Sequence, residues 1–533
     1  MKVFNTTAVC NPLKHYMVDI SDKVREIRKL VDAGKYFTIN RARQYGKTTT
    51  ISALERELAD DYCILSLDFQ GISDAGFKTE EAFVKAFSRA VVKKAKTAGM
   101  PSDPVERLND FINRKEYEAV LDELFSVLTD WCGNSEKPVV MIIDEVDTAT
   151  NNQVFLDFLA QLRLQYLERE KNDDYKTFQS VVLAGVTDIK HLKNKIGNGD
   201  AEKENSPWNI AADFNLDMSL SEAGIVEMLD EYEADHNTGM NTKEIAGIIR
   251  EYTSGYPFLV SRICQLIDEQ LSKVRFRSLS EAWTGEGVEE AVKSLLTEKN
   301  TLFDSLMGKL HDNRSFDSQL KGLLLRGESI EYLPDNKAQE QLMMYGFIVN
   351  DNNTVAVANK IFEMRLYKYY VGESRFSEEL RGNALDNKPA FIKGNQLDIP
   401  LIMERFIETQ KQIRDLNNEE AERKFIEEEG REKFLTYLSP IINGTGTYSI
   451  EEQTRNRRRM DVVIHYCGKR YIIELKIWHG ERYNAKGEEQ ILDYLDHFSL
   501  TTGYMLSFCF NKSKEPGVRK EILGDKVLYE GVV

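Results

Sequence analysis

Between residue 20 and about residue 220, short apolar runs alternate with amphipathic stretches. Apolar side chains at helical spacing predict one helix over Ser21–Ala33, capped by Ser21 or Asp22, and another over Lys47–Leu58. The remaining runs predict strands at Tyr36–Asn40, Tyr62–Phe69, Val139–Asp144 and Ser180–Val186, and helices at 77–98, 104–132 and 151–170. This alternation predicts an α/β domain built on a parallel sheet.

After residue 219 the pattern becomes mostly helical, through 219–273 and 287–330, with a break at 255–257. Apolar segments on both sides of 351–353 predict a hairpin, and the order helix, helix, hairpin is typical of a winged helix. Residues 376–400 contain two glycines and two prolines and are expected to form a loop. A charged helix is predicted over 401–438, and strands at 460–466, 470–475 and 503–510.

Composition narrows the class of protein. The 533 residues carry 70 Lys and Arg against 87 Asp and Glu, a net charge of −17, whereas a general polyanion binder is usually basic. Any nucleic acid must therefore bind a local basic patch. The 42% of hydrophobic residues predicts a globular chain, and no stretch approaches the ~20 apolar residues that span a bilayer. We expect a multidomain protein that is not inserted in a membrane.

The cysteines and the N-terminus favour a cytoplasmic protein. The cysteines are far apart and include no CxxC pair, which argues against a disulfide scaffold and against a zinc site. The first twenty residues lack the apolar region of a signal peptide. The six cysteines are Cys10, Cys63, Cys132, Cys264, Cys467 and Cys509.

A phosphate-binding loop is predicted between the strand 36–40 and the helix that begins at Lys47. Backbone N–H groups at a helix start, together with the helix dipole, favour a bound anion. Lys47 would contact the β- and γ-phosphates of ATP, and Thr48 would place its hydroxyl on Mg²⁺. Arg41 stands where the usual first glycine of such a loop would be, so the sequence is a partial match.

The second half of the predicted site follows the apolar strand Val139–Asp144. Asp144 would hold the Mg²⁺ shell, and Glu145 would act as the base that polarises the attacking water. The next strand leads to Thr187, where a group that senses the γ-phosphate is expected. The alternative is a set of ordinary buried strands with polar ends.

These motifs resemble a known family. The segments FNTTAVCNPLKHYMVDI, KYFTINRARQYGKTT and MIIDEVDTA are similar to the AAA-like ATPases of bacterial genomes, within the AAA+ and STAND-type P-loop ATPases. The resemblance covers roughly residues 1–370 and accepts a loop without the first glycine. It implies a lid helix after Gly255-Tyr-Pro-Phe-Leu259, with Arg262 as a sensor arginine. It also implies nucleotide contacts from Arg43, Gln44, Tyr45, Gly46, Lys47, Thr48 and Thr49.

The C-terminal part holds a second set of candidate chemistry. Asp461 lies on one predicted strand, and Glu474 and Lys476 lie on the next, on one face because strand side chains alternate. A two-residue loop at 468–469 would pair Asp461 with Lys476, whereas a three-residue loop would place it opposite Leu475. Two close carboxylates suit Mg²⁺, which would polarise a phosphodiester, and Lys476 would orient the attacking water or stabilise the phosphate.

This segment resembles the PD-(D/E)xK nuclease superfamily. Met460-Asp461 stands for the Pro-Asp pair, and Glu474-Leu475-Lys476 matches the ExK motif. Gln490 and Tyr494, one helical turn apart, match the Gln-x-x-x-Tyr motif of its recombination-nuclease branch, which implies a catalytic Gln490 and a Tyr494 that contacts nucleic acid. The alternative is a structural hairpin with a surface ion pair.

A basic run directly precedes Asp461 and is the densest in this acidic chain. Beside a scissile bond it would bind phosphates, and the alternative is a solvated loop. The run comprises Arg455, Arg457, Arg458 and Arg459.

The sequence thus predicts an α/β fold in which a P-loop ATPase with a parallel sheet, helical lid and winged helix precedes an α/β PD-(D/E)xK nuclease-like domain. The predicted segments are the ATPase core 1–218, the lid 219–290, the winged helix 291–375, a helical linker 376–430 and the nuclease-like domain 431–533. ATP and Mg²⁺ are the expected cofactors, and nucleic acid, DNA rather than RNA, is the expected partner, with assembly into a homo-oligomer and an unidentified protein trigger left open.

The predicted function is an ATPase whose nucleotide state regulates a Mg²⁺-dependent nuclease, as in defence against mobile DNA. One alternative is a signalling or scaffold ATPase with an inactive nuclease-like domain. A second alternative is a DNA-translocating motor.

Overall fold

The computed structural model describes residues 2–114, 119–187, 189, 206–324, 330–372, 377–416, 427–443, 445–449, 452–453, 459–460, 462–477, 491–509 and 515–533. The α-helices are α1 (Ser21–Asp32), α2 (Lys47–Leu58), α3 (Glu80–Lys94), α4 (Ser102–Asn113), α5 (Leu121–Asn134), α6 (Gln153–Lys171), α7 (Glu222–His236), α8 (Thr242–Thr253), α9 (Pro257–Gln265), α10 (Ser272–Val274), α11 (Leu279–Ala282), α12 (Gly285–Thr297), α13 (Thr301–Asp312), α14 (Arg314–Leu324), α15 (Lys337–Met344), α16 (Lys360–Gly372), α17 (Ser377–Phe391), α18 (Ile399–Leu416), α19 (Glu427–Ile442) and α20 (491–497). A π-helical segment, Leu266–Leu271, joins α9 to α10.

The strands are β1 (Val3–Phe4), β2 (His15–Tyr16), β3 (Phe37–Asn40), β4 (Cys63–Asp68), β5 (Val139–Asp144), β6 (Ser180–Gly185), β7 (Ile348–Asp351), β8 (Thr354–Val357), β9 (Ile392–Lys393), β10 (Gln396–Leu397), β11 (Gly446–Ser449), β12 (Glu452–Gln453), β13 (Arg459–Met460), β14 (Val462–Tyr466), β15 (Lys469–Ile477), β16 (Thr502–Phe508), β17 (Gly517–Leu523) and β18 (Lys526–Val532). The chain divides into two compact units. Unit 1 comprises Met1–Asn237, Gly255–Arg262 and Met343–Gly346, and unit 2 comprises Thr238–Ser254, Ile263–Leu342 and Phe347–Val533. The five predicted segments stay a prediction.

Unit 1 is built on a parallel sheet in the strand order β3-β6-β5-β4. Alternate side chains of β5 enter two cores, because Val140 and Ile142 pack on the side of α1 and α2, and Met141 packs on the other side with α3, α5 and α6. Every residue of β5 is buried, as expected of a strand that is covered on both faces. The predicted parallel α/β sheet is therefore confirmed, and β5 has the predicted bounds.

Two details of unit 1 differ from the prediction. The N-cap residue of α1 is Ile20 and provides no side-chain hydrogen bond, so the predicted caps Ser21 and Asp22 are wrong. Asp19 instead accepts a hydrogen bond from Ser21 N at 2.9 Å. The helix predicted over 104–132 forms two helices, α4 and α5, in the structure.

Unit 2 contains a six-stranded mixed sheet in the order β11-β14-β15-β16-β18-β17. Strand β14 is antiparallel to β11 and β15, while β16 runs parallel to both β15 and β18. Ile491 and Tyr494 of α20 pack in a core with Met505 of β16, on one face of this sheet. On the other face, Phe508 packs against Phe406 of α18 with ring centroids 6.5 Å apart. The sequence analysis missed the last two strands, β17 and β18.

A two-residue turn at Cys467-Gly468 connects β14 to β15. Tyr466 pairs with Lys469 and Val462 with Ile473, so both predicted registers of this hairpin are wrong. Cys467 and Gly468 have φ angles of 48° and 73°, the left-handed pair of values that a type I′ turn requires. Glycine is favoured in the left-handed region, and its place as the second turn residue sets the register.

Residues 377–391 form helix α17, so the loop predicted over 376–400 is wrong. The helix continues through Pro389 and packs along α19, where Lys388 Nζ donates to Pro440 O at 2.9 Å and Tyr437 Oη donates to Asn383 Oδ1 at 3.0 Å. Tertiary packing here outweighs the low helix propensity of glycine and proline. The hairpin predicted around 351–353 is confirmed, since Ile348 pairs with Val357 across β7 and β8.

Within the described part of the chain, no helix combines the length and the apolar character needed to cross a membrane. All six cysteines are free thiols.

Candidate functional site

The loop between β3 and α2 surrounds the ammonium group of Lys47. Gln44 and Gly46 both take left-handed backbone angles, φ 56° and 83°, which turn the chain sharply before α2 begins at Lys47. Lys47 Nζ donates to the carbonyl oxygens of Arg41 at 2.9 Å and Ala42 at 3.1 Å. The lysine is 7% exposed, so its charge is held inside the loop.

The loop meets the end of β5 through one hydrogen bond. Thr48 Oγ1 donates to Asp144 Oδ2 at 2.9 Å, and the other carboxylate oxygen of Asp144 accepts from Glu145 N at 2.9 Å. Parallel strands present their carboxyl ends at one edge of a sheet, which is why two residues 96 positions apart in the chain come together here. The two predicted halves of the site are thereby adjacent.

Burial controls the ionisation of these groups. It raises the pKa of the Asp144 carboxyl, against the opposing hydrogen bonds from Glu145 N and Thr48. It also raises the pKa of Glu145, and the neighbouring Asp144 carboxylate raises it further. Burial lowers the pKa of the Lys47 ammonium, while Glu145 and Asp147 act in the opposite direction. The Lys47 ammonium and the Asp144 and Glu145 carboxyl groups therefore lie at one partly buried edge of the sheet.

Thr187 lies just past the end of β6, beside the turn that follows β5. Its backbone N–H donates to Asp147 Oδ1 at 2.7 Å, and Val186 N donates to Asp147 Oδ2 at 2.7 Å. Strands β5 and β6 are neighbours in the sheet, so Thr187 and Glu145 follow adjacent strand ends. Sequence analysis missed Asp147, although an acid three residues after Asp144 was a visible signal.

Three further predicted nucleotide residues, Arg43, Tyr45 and Thr49, are held by contacts within unit 1. The carbonyl oxygen of Arg43 accepts a hydrogen bond from Tyr256 Oη, and the ring of Tyr45 lies edge-on to the Tyr256 ring at a centroid distance of 4.7 Å. Thr49 Oγ1 accepts from Cys10 N at 3.1 Å, which ties the N-terminal segment to α2. Arg262 is half-buried in α9, the helix that begins next to Tyr256.

Arg41, which replaces the usual first glycine, points away from the loop interior. Its Nη1 donates to Asn40 O at 2.6 Å, its Nη2 donates to Leu216 O, and its guanidinium lies 5.2 Å from the centre of the Phe214 ring. Burial lowers the pKa of Arg41. The side chain therefore attaches the segment before α7 to the start of the loop.

Arg41→Lys is expected to lower the apparent free energy of unfolding by about 1–2 kcal/mol, because lysine keeps the charge but loses the planar fork and the stacking. Thermal and urea unfolding would measure this change. Arg56→Lys, at an exposed position of α2, is the matched control and should unfold like the wild type. Equal midpoints for the two variants would contradict the anchoring role of Arg41.

In unit 2, Glu474 and Lys476 lie side by side on β15. Lys476 Nζ is 3.4 Å from Glu474 Oε1, and the two side chains are 14% and 3% exposed. Ile472, Glu474 and Lys476 are every second residue of β15, so their side chains lie on the same face of the sheet. The core on that face includes residues of α20. Met505 and Ser507 of β16 are their in-register partners.

Several predicted residues lie outside the described residues, namely Asp461, Gln490, Arg455, Arg457 and Arg458. Arg459 belongs to β13 and pairs with Gln453 of β12. Tyr494 is fully buried in a core with Val463, Ile472 and Met505, so the expectation that it contacts nucleic acid is corrected: its ring packs the sheet.

Hydroxyl and carboxylate oxygens, as at Thr48 and Asp144, are the ligand types that Mg²⁺ prefers. Among the described residues, no group of three or more His, Cys, Asp or Glu side chains is arranged to hold a metal ion. The pair at Thr48 and Asp144 therefore fits a cation that is completed by phosphate oxygens and water.

A parallel sheet, a loop around a buried lysine at a helix start, and an acid at the neighbouring edge define a P-loop nucleotide-binding protein of the ATPase class. Residues 14–371, more than half of the chain, match the family model described as "AAA-like domain". The chain belongs to this family of ATPases.

Among individual proteins, an uncharacterized WD repeat-containing protein of Synechocystis sp. is 23% identical over 259 residues. The match covers 47% of this chain and 20% of that relative, so the chain spans about a fifth of the relative's length.

Two solved archaeal structures have low similarity scores. The Walker-type ATPase of Pyrococcus abyssi is 16% identical, with a TM-score of 0.44 over 68% of this chain and 99% of that chain. Cdc6p from Pyrobaculum aerophilum is 14% identical, with a TM-score of 0.35 over 70% and 98%.

Proposed function

We propose that unit 1 binds ATP with Mg²⁺ and hydrolyses it at the edge formed by the loop before α2 and the end of β5. The hydrogen bond of 2.9 Å between Thr48 Oγ1 and Asp144 Oδ2 carries this proposal, because it joins the two halves that ATP hydrolysis requires. Bound Mg²⁺ would neutralise charge that develops on the phosphates. Thr48 and Asp144 would hold it.

The other proposed groups bind the phosphates or take part in hydrolysis. Lys47 is buried among loop carbonyls, where it is ready to exchange those contacts for phosphate oxygens. Glu145 is the base that accepts a proton from the attacking water, and its raised pKa brings it closer to neutral pH, as general-base catalysis favours. Thr187 senses the γ-phosphate from the neighbouring strand end, and Arg262 approaches it from α9.

The backbone and side chains of Arg43, Gln44, Tyr45, Gly46 and Thr49 complete the nucleotide contacts in this proposal. The left-handed angles at Gln44 and Gly46 support it, since such turns direct successive N–H groups toward an anion.

For unit 2 we propose a Mg²⁺-dependent nuclease whose activity depends on the nucleotide state of unit 1. The supporting observation is the pair of Glu474 and Lys476, both largely buried on one face of β15. A buried carboxylate is energetically costly unless it has a partner, and this pair is held on one face of the sheet. Asp461, which precedes β14 directly, would be the second acid, with Gln490 and the arginines 455 and 457–459 near the nucleic acid.

A second candidate function is an ATPase with an inactive nuclease-like domain. The same ion pair favours it, because a lysine 3.4 Å from the carboxylate stabilises a buried charge without any catalysis. The two candidates differ in one measurable respect, which is cleavage of nucleic acid.

The test combines two assays on the full chain. Hydrolysis of ATP is measured with and without Mg²⁺, and cleavage of single-stranded DNA, duplex DNA and RNA is measured with and without ATP. We expect Mg²⁺-dependent hydrolysis, and cleavage of DNA that changes with ATP. Hydrolysis without any cleavage would favour the second candidate, and no hydrolysis would reject the role of unit 1.

A further inference from the structure

Asp147 connects the two strand ends that carry the proposed hydrolytic groups. It lies in a 3₁₀ turn, Val146–Thr148, directly after Glu145. Its two carboxylate oxygens each accept one backbone hydrogen bond, from Val186 N and Thr187 N, both at 2.7 Å. These short, charge-assisted bonds join the turn after β5 to the residues after β6.

The fit around this carboxylate is tight. A Cβ atom on Gly185 would lie 3.0 and 3.1 Å from the two carboxylate oxygens of Asp147 and 2.9 Å from a methyl group of Val146. Because Gly185 has no side chain, the Asp147 carboxylate has room to lie against the backbone at this position.

Glu145 immediately before this turn takes a left-handed conformation, φ 54° and ψ 41°. A residue with a Cβ atom adopts these angles at an energetic cost and keeps them only where its surroundings fix them. The turn that starts at Val146 is held by the side chain of Asp147, two residues after Glu145. The carboxylate of Asp147 therefore fixes both the backbone that directs Glu145 and the backbone that carries Thr187.

We propose that Asp147 is a positioning residue for ATP hydrolysis, which sets the distance between the base Glu145 and the sensor Thr187. This inference rests on the proposed function of unit 1. Both carboxylate oxygens of Asp147 accept backbone hydrogen bonds, and we assign its effect on turnover to these neighbours. Binding of ATP should depend little on it, whereas turnover should depend strongly on it.

Asp147→Ala removes both hydrogen bonds, and Asp147→Asn keeps one acceptor oxygen. We expect Asp147→Ala to lower kcat about 10–100-fold and Asp147→Asn to lie between it and the wild type, because displacement of a catalytic group by about 1 Å has an effect of this size. The dissociation constant for ATP, measured by equilibrium titration, should stay within about threefold of the wild type in both variants. Asp157→Asn, at an exposed position of α6, is the matched control and should keep wild-type turnover.

A combination with Glu145→Gln separates positioning from general stability. If Asp147 acts through Glu145, single-turnover hydrolysis by Glu145→Gln/Asp147→Ala should be about as slow as by Glu145→Gln alone, since groups that act as one unit are not additive. A fully multiplicative decrease, or a parallel loss of ATP binding and thermal stability in Asp147→Asn, would indicate a general structural role and overturn the inference. If Asp147→Ala does not fold, the kcat and the ATP dissociation constant of Asp147→Asn decide between the positioning role and a general structural role.

Failure of the inference differs from failure of the proposed function. If Glu145→Gln lowers hydrolysis while Asp147→Asn and Asp147→Ala match Asp157→Asn, only the role of Asp147 is rejected. If the wild type shows no hydrolysis, or Glu145→Gln hydrolyses ATP at the wild-type rate, the proposed chemistry is rejected and the inference falls with it.

Discussion

Lys47→Ala is expected to abolish measurable ATP turnover and to weaken ATP binding about 10–100-fold. Lys47 is the buried cation of the loop, and its hydrogen bonds to Arg41 O and Ala42 O hold the ammonium where phosphate oxygens would bind. A hydrogen bond from a charged donor contributes about 1.5–3 kcal/mol, which corresponds to this range of affinity. Equilibrium titration with ATP and a phosphate-release assay would measure the two effects.

The control for this variant is Lys96→Ala, which removes an exposed lysine of the same unit. It should bind and hydrolyse ATP like the wild type. Loss of Lys47 also removes two hydrogen bonds from loop carbonyls, so the unfolding midpoint is measured in parallel. ATP affinity within twofold of the wild type, in a variant that remains folded, would refute the assignment of Lys47 to the phosphates.

The parts of the nucleotide site that the sequence predicts well are those with local signals. Helix α2 and strand β5 have the predicted bounds, because Lys47 follows a sharp turn and Val139–Asp144 is an uninterrupted apolar run. Order along the chain and the parallel sheet then bring Thr48 and Asp144 together. This adjacency follows from the topology alone, because the carboxyl ends of parallel strands share one edge of the sheet.

The contacts that the sequence analysis missed depend on distant parts of the chain. The sequence marks Arg41 only by the absence of the usual glycine, whereas in the structure its side chain donates to Leu216 O and stacks on Phe214. Asp147 gains its role only from the backbone of Val186 and Thr187, which another strand delivers. No residue pattern near Arg41 or Asp147 indicates which distant residues these two side chains contact.

In unit 2 the errors have two physical causes. The hairpin register depends on left-handed angles at both Cys467 and Gly468, and cysteine is a weak signal for such an angle. The ring of Tyr494 matched a nuclease motif, but packing against Ile472 and Met505 buries it completely. A motif match gives the residue type and spacing, and the exposure of the side chain depends on the fold around it.

Lys476→Ala is expected to abolish the proposed Mg²⁺-dependent cleavage of nucleic acid while ATP hydrolysis by unit 1 persists. In the proposed mechanism this ammonium orients the attacking water or stabilises the charged phosphate, and loss of one such group typically lowers the rate about 10²–10³-fold. Cleavage of labelled DNA, followed over time in parallel with phosphate release, would measure both activities. Lys469→Ala, at an exposed position of the same strand, is the matched control and should cleave like the wild type.

Because Lys476 is 3.4 Å from the buried Glu474 carboxylate, its removal also takes one cationic partner away from that charge. The variant should therefore be less stable, since breaking a buried ion pair typically costs about 3–5 kcal/mol. Glu474→Gln/Lys476→Ala removes both charges and should recover part of this stability without recovering cleavage. Cleavage that returns together with stability in the double variant would show that the pair is structural, and the nuclease proposal for this strand would then be abandoned.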